Sequence, residues 1–193
     1  QSSTEREQHM SNLYVYLIRS RHKDNETVKG FKPRSKSILE YEENEQRILE
    51  EFEDFAKKGL PGEKTRLYKS VNSRNEDKTR HELLVRMLRD GTKLPTLNNT
   101  LVSTALRAEC RDESKWLFDF DIDDENAVNA FVKDIPVKTD VIKTPHGYAV
   151  VCEHKFDTRP LHEKWQTQID NDDITLKRDD LLFMDMRTSD RKE

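Results

Sequence analysis

The apolar side chains of this chain are concentrated in short runs that are separated by strongly charged segments. Residues 13–18 form one aromatic and β-branched run, and residues 116–122 form another. Only 33% of the 193 residues are hydrophobic whereas 37% are charged, so the core must be small and the surface heavily solvated. Clustering of this kind argues against general disorder, and the length fits one domain.

Charge and cysteine usage restrict the class of protein. The formal net charge of −4 gives no overall attraction to nucleic acid, so a nucleic-acid-binding face must be a local basic patch. Cys110 and Cys152 have no Cys-x-x-Cys spacing and are expected to be reduced thiols in a cytoplasmic protein. No apolar run approaches the roughly 18–20 residues that cross a membrane, so no membrane association is expected.

Periodicity and turn residues predict a fold of the α/β (α+β) class, a mostly antiparallel sheet packed with helices. A single domain is expected over residues 13–186, with a helical segment over 37–110 and tails at 1–12 and 187–193. The last two pairs of strands are expected to be hairpins, the first turned by Pro145-His146-Gly147 and the second turned at residues 178–180. The predicted strands are 13–18, 66–72, 116–122, 141–143, 148–153, 174–176 and 181–186, and the predicted helices are 37–58, 78–89, 100–110 and 126–133.

The strand at residues 116–122 carries the strongest chemical signal. Because side chains alternate between the faces of a strand, Asp119 and Asp121 should share one face, about 7 Å apart, while Phe118 and Phe120 share the other. Two such carboxylates can hold Mg²⁺ or Mn²⁺, which prefer oxygen ligands and share them with substrate phosphates. The alternative is a strand with a polar face whose acids are solvated or paired with a lysine. Residues 123–125 are expected to form the next turn and helix N-cap.

Three motifs follow one another in an order that resembles the archaeo-eukaryotic primase superfamily, and the resemblance covers roughly residues 66–186. They are Leu117-Phe118-Asp119-Phe120-Asp121, then Thr144-Pro145-His146, then Leu182-Phe183-Met184-Asp185. The likeness is to compact members from phages or mobile elements. It implies an RRM-like primase catalytic core, with Asp119, Asp121 and Asp185 as metal ligands for Mg²⁺ or Mn²⁺. A second alignment of the turn puts Ala149 where the family has its histidine.

Basic residues supply the expected phosphate contacts. Under the first functional hypothesis given below, Lys143, His146 and Arg159 would contact the phosphates. Three further cations lie on or just after the second predicted strand and could converge on a triphosphate or a nucleic-acid backbone. For any one of these side chains, ordinary surface charge is the alternative. The three are Arg66, Lys69 and Arg74.

The first functional hypothesis is a metal-dependent nucleotidyltransferase of primase-polymerase type. It would act in DNA replication on nucleoside triphosphates and on single-stranded or primer-template nucleic acid, in the host-cell cytoplasm if phage-encoded. The alternatives are a nucleic-acid or protein-binding module of the same fold that has lost catalysis, and a metal-dependent phosphodiesterase or nuclease. No phosphate-binding Gly-x-x-x-x-Gly-Lys loop, nucleophile elbow or dinucleotide-binding glycine motif is present.

Overall fold

The computed structural model describes residues 12–192, which divide into two compact units. Unit 1 comprises the chain up to Lys69, Ser73–Asp112 and the residues from Met184 onward, and unit 2 comprises Ser70–Asn72 and Glu113–Phe183. The protein is of the α+β class, and its described residues form two four-stranded antiparallel sheets and six α-helices. Residues 1–11 of the expected N-terminal tail lie outside the described part.

The first sheet belongs mainly to unit 1, and its strand order is β2-β1-β3-β8. Strand β8 extends to Thr188, so residues 187 and 188 of the expected C-terminal tail are part of the sheet. Three helices accompany this sheet in unit 1. The elements are β1 (Leu13–Ser20), β2 (Arg34–Tyr41), α1 (Glu45–Lys57), β3 (Lys64–Ser70), α2 (Glu76–Asp90), α3 (Leu97–Ala105) and β8 (Leu181–Thr188).

The core of unit 1 forms where one face of this sheet meets α1. Alternate residues of β1, among them Tyr16 and Ile18, are buried on that face. Ile48 and Phe52, one helical turn apart on α1, pack against them together with Leu67 of β3. The core of unit 1 thus combines a helical stripe with one face of a sheet.

The predicted helix over residues 37–58 is wrong in its first part. Residues 34–41 form strand β2, which pairs with the whole length of β1 and places Ile38 opposite Tyr16. A 3₁₀ turn at Glu42–Asn44 separates this strand from α1. The adjacent apolar residues Ile38 and Leu39 fit either period, and pairing with a buried neighbouring strand outweighs helix propensity.

The predicted helix at 78–89 is confirmed as α2, which begins with a side-chain cap and ends at a glycine. The Asn75 side chain accepts a hydrogen bond from the Lys78 N–H at 2.8 Å. Gly91 has a φ of 61°, and its N–H donates to the Met87 carbonyl, which closes the last turn. The predicted helix at 100–110 is shorter than expected, because α3 ends at Ala105 and a separate 3₁₀ turn covers Ala108–Cys110.

Unit 2 contains the second sheet, whose strand order is β5-β6-β4-β7. Its elements follow one another as strand, helix, two strands, two short helices and strand. Phe118 and Phe120 face a core that includes Phe131 of α4 and Leu161 of α5, so the helices cover one face of the sheet. The elements are β4 (Trp116–Phe120), α4 (Glu125–Lys133), β5 (Thr139–Thr144), β6 (Gly147–Cys152), α5 (Arg159–Lys164), α6 (Gln166–Asp170) and β7 (Ile174–Lys177).

The first predicted hairpin is confirmed, and the second is wrong. Strands β5 and β6 pair through a two-residue turn at Pro145 and His146. Strands β7 and β8, although only three residues apart, belong to different sheets, where β7 pairs with β4 and β8 neighbours β3. The short polar connection between them resembles a hairpin turn in sequence, but long-range pairing decides the partners. Helices α5 and α6 were not predicted.

Two simpler expectations concern the membrane and the thiols. In residues 12–192, no helix combines the length and the apolar character that crossing a bilayer requires. Cys110 and Cys152 are free and buried. Burial raises the pKa of the Cys152 thiol to about 11, which disfavours the reactive thiolate.

Candidate functional site on the acidic strand

Strand β4 lies inside the second sheet, between β6 and β7. Phe118 and Phe120 are buried in the helix-covered core, and Ile122 packs against the same core. Alternation therefore continues for two residues beyond the end of the strand, and a hydrogen bond from the Asp121 N–H to the Asp173 carbonyl (2.7 Å) keeps the backbone in register. Asp119 and Asp121 consequently lie on the face of the sheet opposite the helices.

Asp119 has a basic neighbour and two small neighbours across the sheet. Lys177 lies 3.7 Å from its carboxylate, and both side chains are about half exposed. A long ion pair at this exposure contributes little to stability. Ala149 lies directly opposite Asp119 on β6, and Thr175 lies opposite it on β7.

The turn between β5 and β6 lies at the end of the sheet where Asp121 follows β4. In the β4–β6 register, Phe120 pairs with Tyr148, so Gly147 lies beside Asp121. A Cβ atom on Gly147 would stand 2.0 Å from the Phe120 carbonyl oxygen. Glycine is therefore required at this position by the close approach of two backbones. His146 is exposed in the turn itself.

Lys143 has its hydrogen-bond and ion-pair partners at the same end of the sheet. Its ammonium group lies 3.1 Å from the Asp123 carboxylate and donates to the carbonyls of Thr144 (2.8 Å) and Gly147 (3.1 Å). Asp124 caps α4, because its carboxylate accepts hydrogen bonds from the N–H groups of Asn126 and Ala127. The predicted turn and N-cap at residues 123–125 are confirmed.

Arg159 is the first residue of α5 in unit 2. It follows β6, whose last residue, Cys152, pairs with Trp116 at the beginning of β4. Arg159 is highly exposed and holds Asp157 at 2.8 Å. Its hydrogen bonds lower the pKa of that carboxyl to about 2.

The third predicted metal ligand, Asp185, belongs to unit 1. It lies on β8, 3.2 Å from Arg187, and accepts a hydrogen bond from the Met186 N–H. Among residues 12–192, no three His, Cys, Asp or Glu side chains are grouped in a way that could hold a metal ion. Asp119 and Asp121 alone suit the mode in which Mg²⁺ takes one or two carboxylates and completes its shell with substrate phosphates and water.

The remaining predicted phosphate contacts have partners inside unit 1. Arg66 is buried and pairs with Asp24 at 2.6 Å. Lys69 pairs with Glu45 at 2.8 Å and lies over the Tyr14 ring. Arg74 is buried at 1% exposure, and its guanidinium donates to the carbonyls of two residues at and beyond the end of α3, Ala105 (2.5 Å) and Arg107 (2.7 Å). All three basic side chains therefore have their partners within the fold.

Asp173 and Lys177 are neighbours of the acidic strand that the sequence analysis did not single out. Asp173 lies opposite Asp121 in the register, and Lys177 reaches Asp119. The signal was present, because Asp173, Thr175 and Lys177 alternate with the apolar residues Ile174 and Leu176. Only the pairing of β7 with β4 shows which strand this polar face adjoins.

Comparison with known proteins adds no family. The chain has no significant match among protein-family models, curated proteins or solved structures.

Proposed function

We propose that this protein is a metal-dependent nucleotidyltransferase of primase-polymerase type, acting on nucleoside triphosphates and a nucleic-acid strand. The observation that carries the proposal is the placement of Asp119 and Asp121 on the helix-free face of an inner strand. Two carboxylates at that position give a hard cation a partial shell that substrate phosphates can complete.

The arrangement of unit 2 supports the same proposal. Its order of strand, helix, two strands, helices and strand, with β4 and β6 at the centre, agrees with the split β-α-β motif to which RRM-like domains belong. The primase superfamily, which the motifs of this chain resemble, is expected to have an RRM-like catalytic core. Fold-level agreement of this kind is analogy, and the functional weight rests on the two carboxylates.

Each residue of the site has a proposed task. Asp119 and Asp121 hold the cation. A bound divalent cation supplies charge neutralisation for the phosphates of the substrate. His146, in the turn beside Asp121, is the proposed phosphate contact, and Lys177 balances the charge of Asp119 when no cation is bound. Lys143 shares the face of Phe120 through its pairing with Tyr148, and its ammonium group pairs with Asp123.

A binding module that has lost catalysis is the second candidate, and two observations favour it. Ala149, rather than a histidine, lies opposite Asp119, and Lys177 already pairs with that carboxylate. In that case the lysine permanently replaces the cation.

Calorimetric titration with Mn²⁺ and a nucleoside triphosphate separates these candidates. We expect metal-dependent nucleotide binding by the parent and its loss in Asp119→Asn, because the substitution removes one of two charged ligands. Asp170→Asn, which changes an exposed acid at the end of α6, is the matched control and should bind as the parent does. Unchanged binding by Asp119→Asn would rule out the site.

Labelled single strands incubated with Mn²⁺ and nucleotides then report the reaction. Extension supports the transferase, shortening indicates the phosphodiesterase or nuclease alternative, and strand binding without either indicates the binding module.

In metal-free buffer, Asp119→Asn should have a free energy of unfolding within about 0.5 kcal/mol of the parent, since it loses only an exposed ion pair. A clearly larger loss would mean that the carboxylate is structural.

A further inference from the structure

Positive charge is concentrated in one segment of unit 1. Residues 17–36 contain seven Lys or Arg side chains and two acidic ones, in a chain whose formal net charge is −4. A local excess of this kind raises the concentration of anions near the surface that carries it. The segment covers the end of β1, the following loop and the beginning of β2.

A pocket of about 440 Å³ opens within this segment, and we call it the arginine pocket. Four of its lining residues carry or can acquire positive charge, and no carboxylate lines it. The hydroxyl-bearing residues Ser20 and Ser35 also line the pocket. The four basic residues are Arg19, Arg21, His22 and Arg34.

Two arginines of the pocket have acidic partners. Asp24 pairs with Arg21 at 2.8 Å and also, at 2.6 Å, with Arg66, which does not line the pocket. Arg34 pairs with Glu63 and stacks on the Phe55 ring at 4.1 Å. The fold therefore fixes the guanidinium groups of Arg21 and Arg34 in place.

Arg19 is the side chain with no such compensation. It is exposed and lies directly opposite Arg66 in the pairing of β1 with β3. Within residues 12–192 Arg19 has no ion pair with an acidic side chain. An anion that enters the pocket would therefore supply the counter-charge that Arg19 lacks among the described residues.

We propose that the arginine pocket binds a phosphate group, carried either by a nucleotide or by the backbone of a nucleic-acid strand. The guanidinium group of Arg19 offers two parallel N–H donors that match phosphate oxygens. Arg21, whose Nε and Nη2 atoms donate to Asp24, adds a second guanidinium group to the lining of the pocket. The pocket contains none of the residues of the acidic strand, so its binding does not depend on the function proposed above.

The test measures binding of a fluorescent oligothymidylate and of inorganic tripolyphosphate in buffer with EDTA, which excludes any metal-dependent site. We expect Arg19→Gln to weaken binding at least about tenfold, and to lower the slope of log affinity against log salt by about 1. Arg89→Gln is the matched control, because it removes an exposed arginine on α2 that does not line the pocket. This control should bind within about twofold of the parent.

Two arms identify the source of the phosphate. Arg19-dependent binding of tripolyphosphate, and its competition with the oligonucleotide, indicates a nucleotide site. Arg19-dependent binding of the oligonucleotide alone indicates a strand-backbone site. The proposal is overturned if neither ligand binds, or if Arg19→Gln and Arg89→Gln behave alike.

The melting temperature in phosphate-free buffer tests whether Arg19→Gln weakens binding by damaging the fold. Because Arg19 is exposed and has no acidic partner among residues 12–192, its replacement by Gln should leave the melting temperature close to that of the parent. A lower melting temperature together with weaker binding would mean that Arg19 supports the fold, and it would overturn the assignment.

Discussion

At the scale of single residues, Gly147 is the position of the candidate site that is most tightly restricted by its neighbours. The position tolerates no side chain, because the nearest atoms to an added Cβ belong to the backbone of Phe120 and Ile122. Backbone atoms inside a sheet cannot move aside as the end of a flexible side chain can. The contact therefore sets the distance between the β5–β6 turn and the strand that carries the two aspartates.

Gly147→Ala should lower the free energy of unfolding by about 3 kcal/mol, because the added methyl overlaps a carbonyl in the sheet. Urea denaturation measures the change. Gly62→Ala is the matched control: Gly62 has a φ of +78° but open space around it, so that variant should lose only about 1 kcal/mol. Equal losses in the two variants would contradict the steric account.

At this scale the sequence shows which residue types are present but not what surrounds them. The shared face of Asp119 and Asp121 followed from alternation alone. The internal roles of Arg66 and Arg74 could not be predicted, because their partners, Asp24 and the carbonyls near the end of α3, are brought to them by tertiary structure. A buried arginine and a phosphate-binding arginine look identical in a sequence.

At the scale of elements, α4 shows how locally the region after the acidic strand is specified. Its N-cap, Asp124, was predictable because an acid before an apolar periodic segment favours a helix start. The neighbouring Asp123 instead pairs with Lys143. Adjacent acids that follow the same strand thus have separate structural tasks.

Asp124→Ala should reduce the free energy of unfolding by about 1 kcal/mol, since two N–H groups of α4 lose their acceptor. Asp124→Asn keeps an acceptor and should be close to neutral. Asp123→Ala removes only an exposed ion pair and should cost less than about 0.5 kcal/mol. Chemical denaturation of the three variants gives the ranking, and a larger effect at Asp123 than at Asp124 would refute it.

The boundaries of an element can be predicted from the sequence where one hydrophobic period dominates. The prediction fails where the helical period and the strand period compete. Strand β4 and helix α2 have clear patterns and appear where expected. Strand β2 was mistaken for helix because its alternation is broken by adjacent apolar residues. The short helices α5 and α6, at six and five residues, offer too few turns for periodicity to be visible.

At the scale of the whole molecule, acid stability depends in part on Asp24. Burial alone would raise the pKa of this carboxyl, but the hydrogen bonds and charges of Arg21 and Arg66 outweigh burial and lower it. A carboxyl with a lowered pKa in the native state stabilises the fold fully above its unfolded pKa of about 3.9. That contribution is lost as the pH falls from there through the native value.

The free energy of unfolding should therefore decrease as the pH falls below about 4, and less steeply in Asp24→Asn than in the parent. Urea titrations at a series of pH values measure both slopes. Asp77→Asn, which changes an acid that is 94% exposed, controls for the loss of one negative charge and should follow the parent. Parallel curves for Asp24→Asn and the parent would show that this carboxyl does not govern acid unfolding.

The division of the chain into interleaved segments has a practical consequence for anyone cutting it into pieces. Unit 1 is drawn from three stretches of sequence, and the last of these supplies part of β8 and Met184, which packs against the core of Tyr16 and Phe52. A fragment ending at residue 112 would thus carry most of unit 1 without one of the four strands of its sheet. Deletion mapping from the C-terminus would damage the half of the protein encoded first, and a function assigned from such truncations would be credited to the wrong part of the gene.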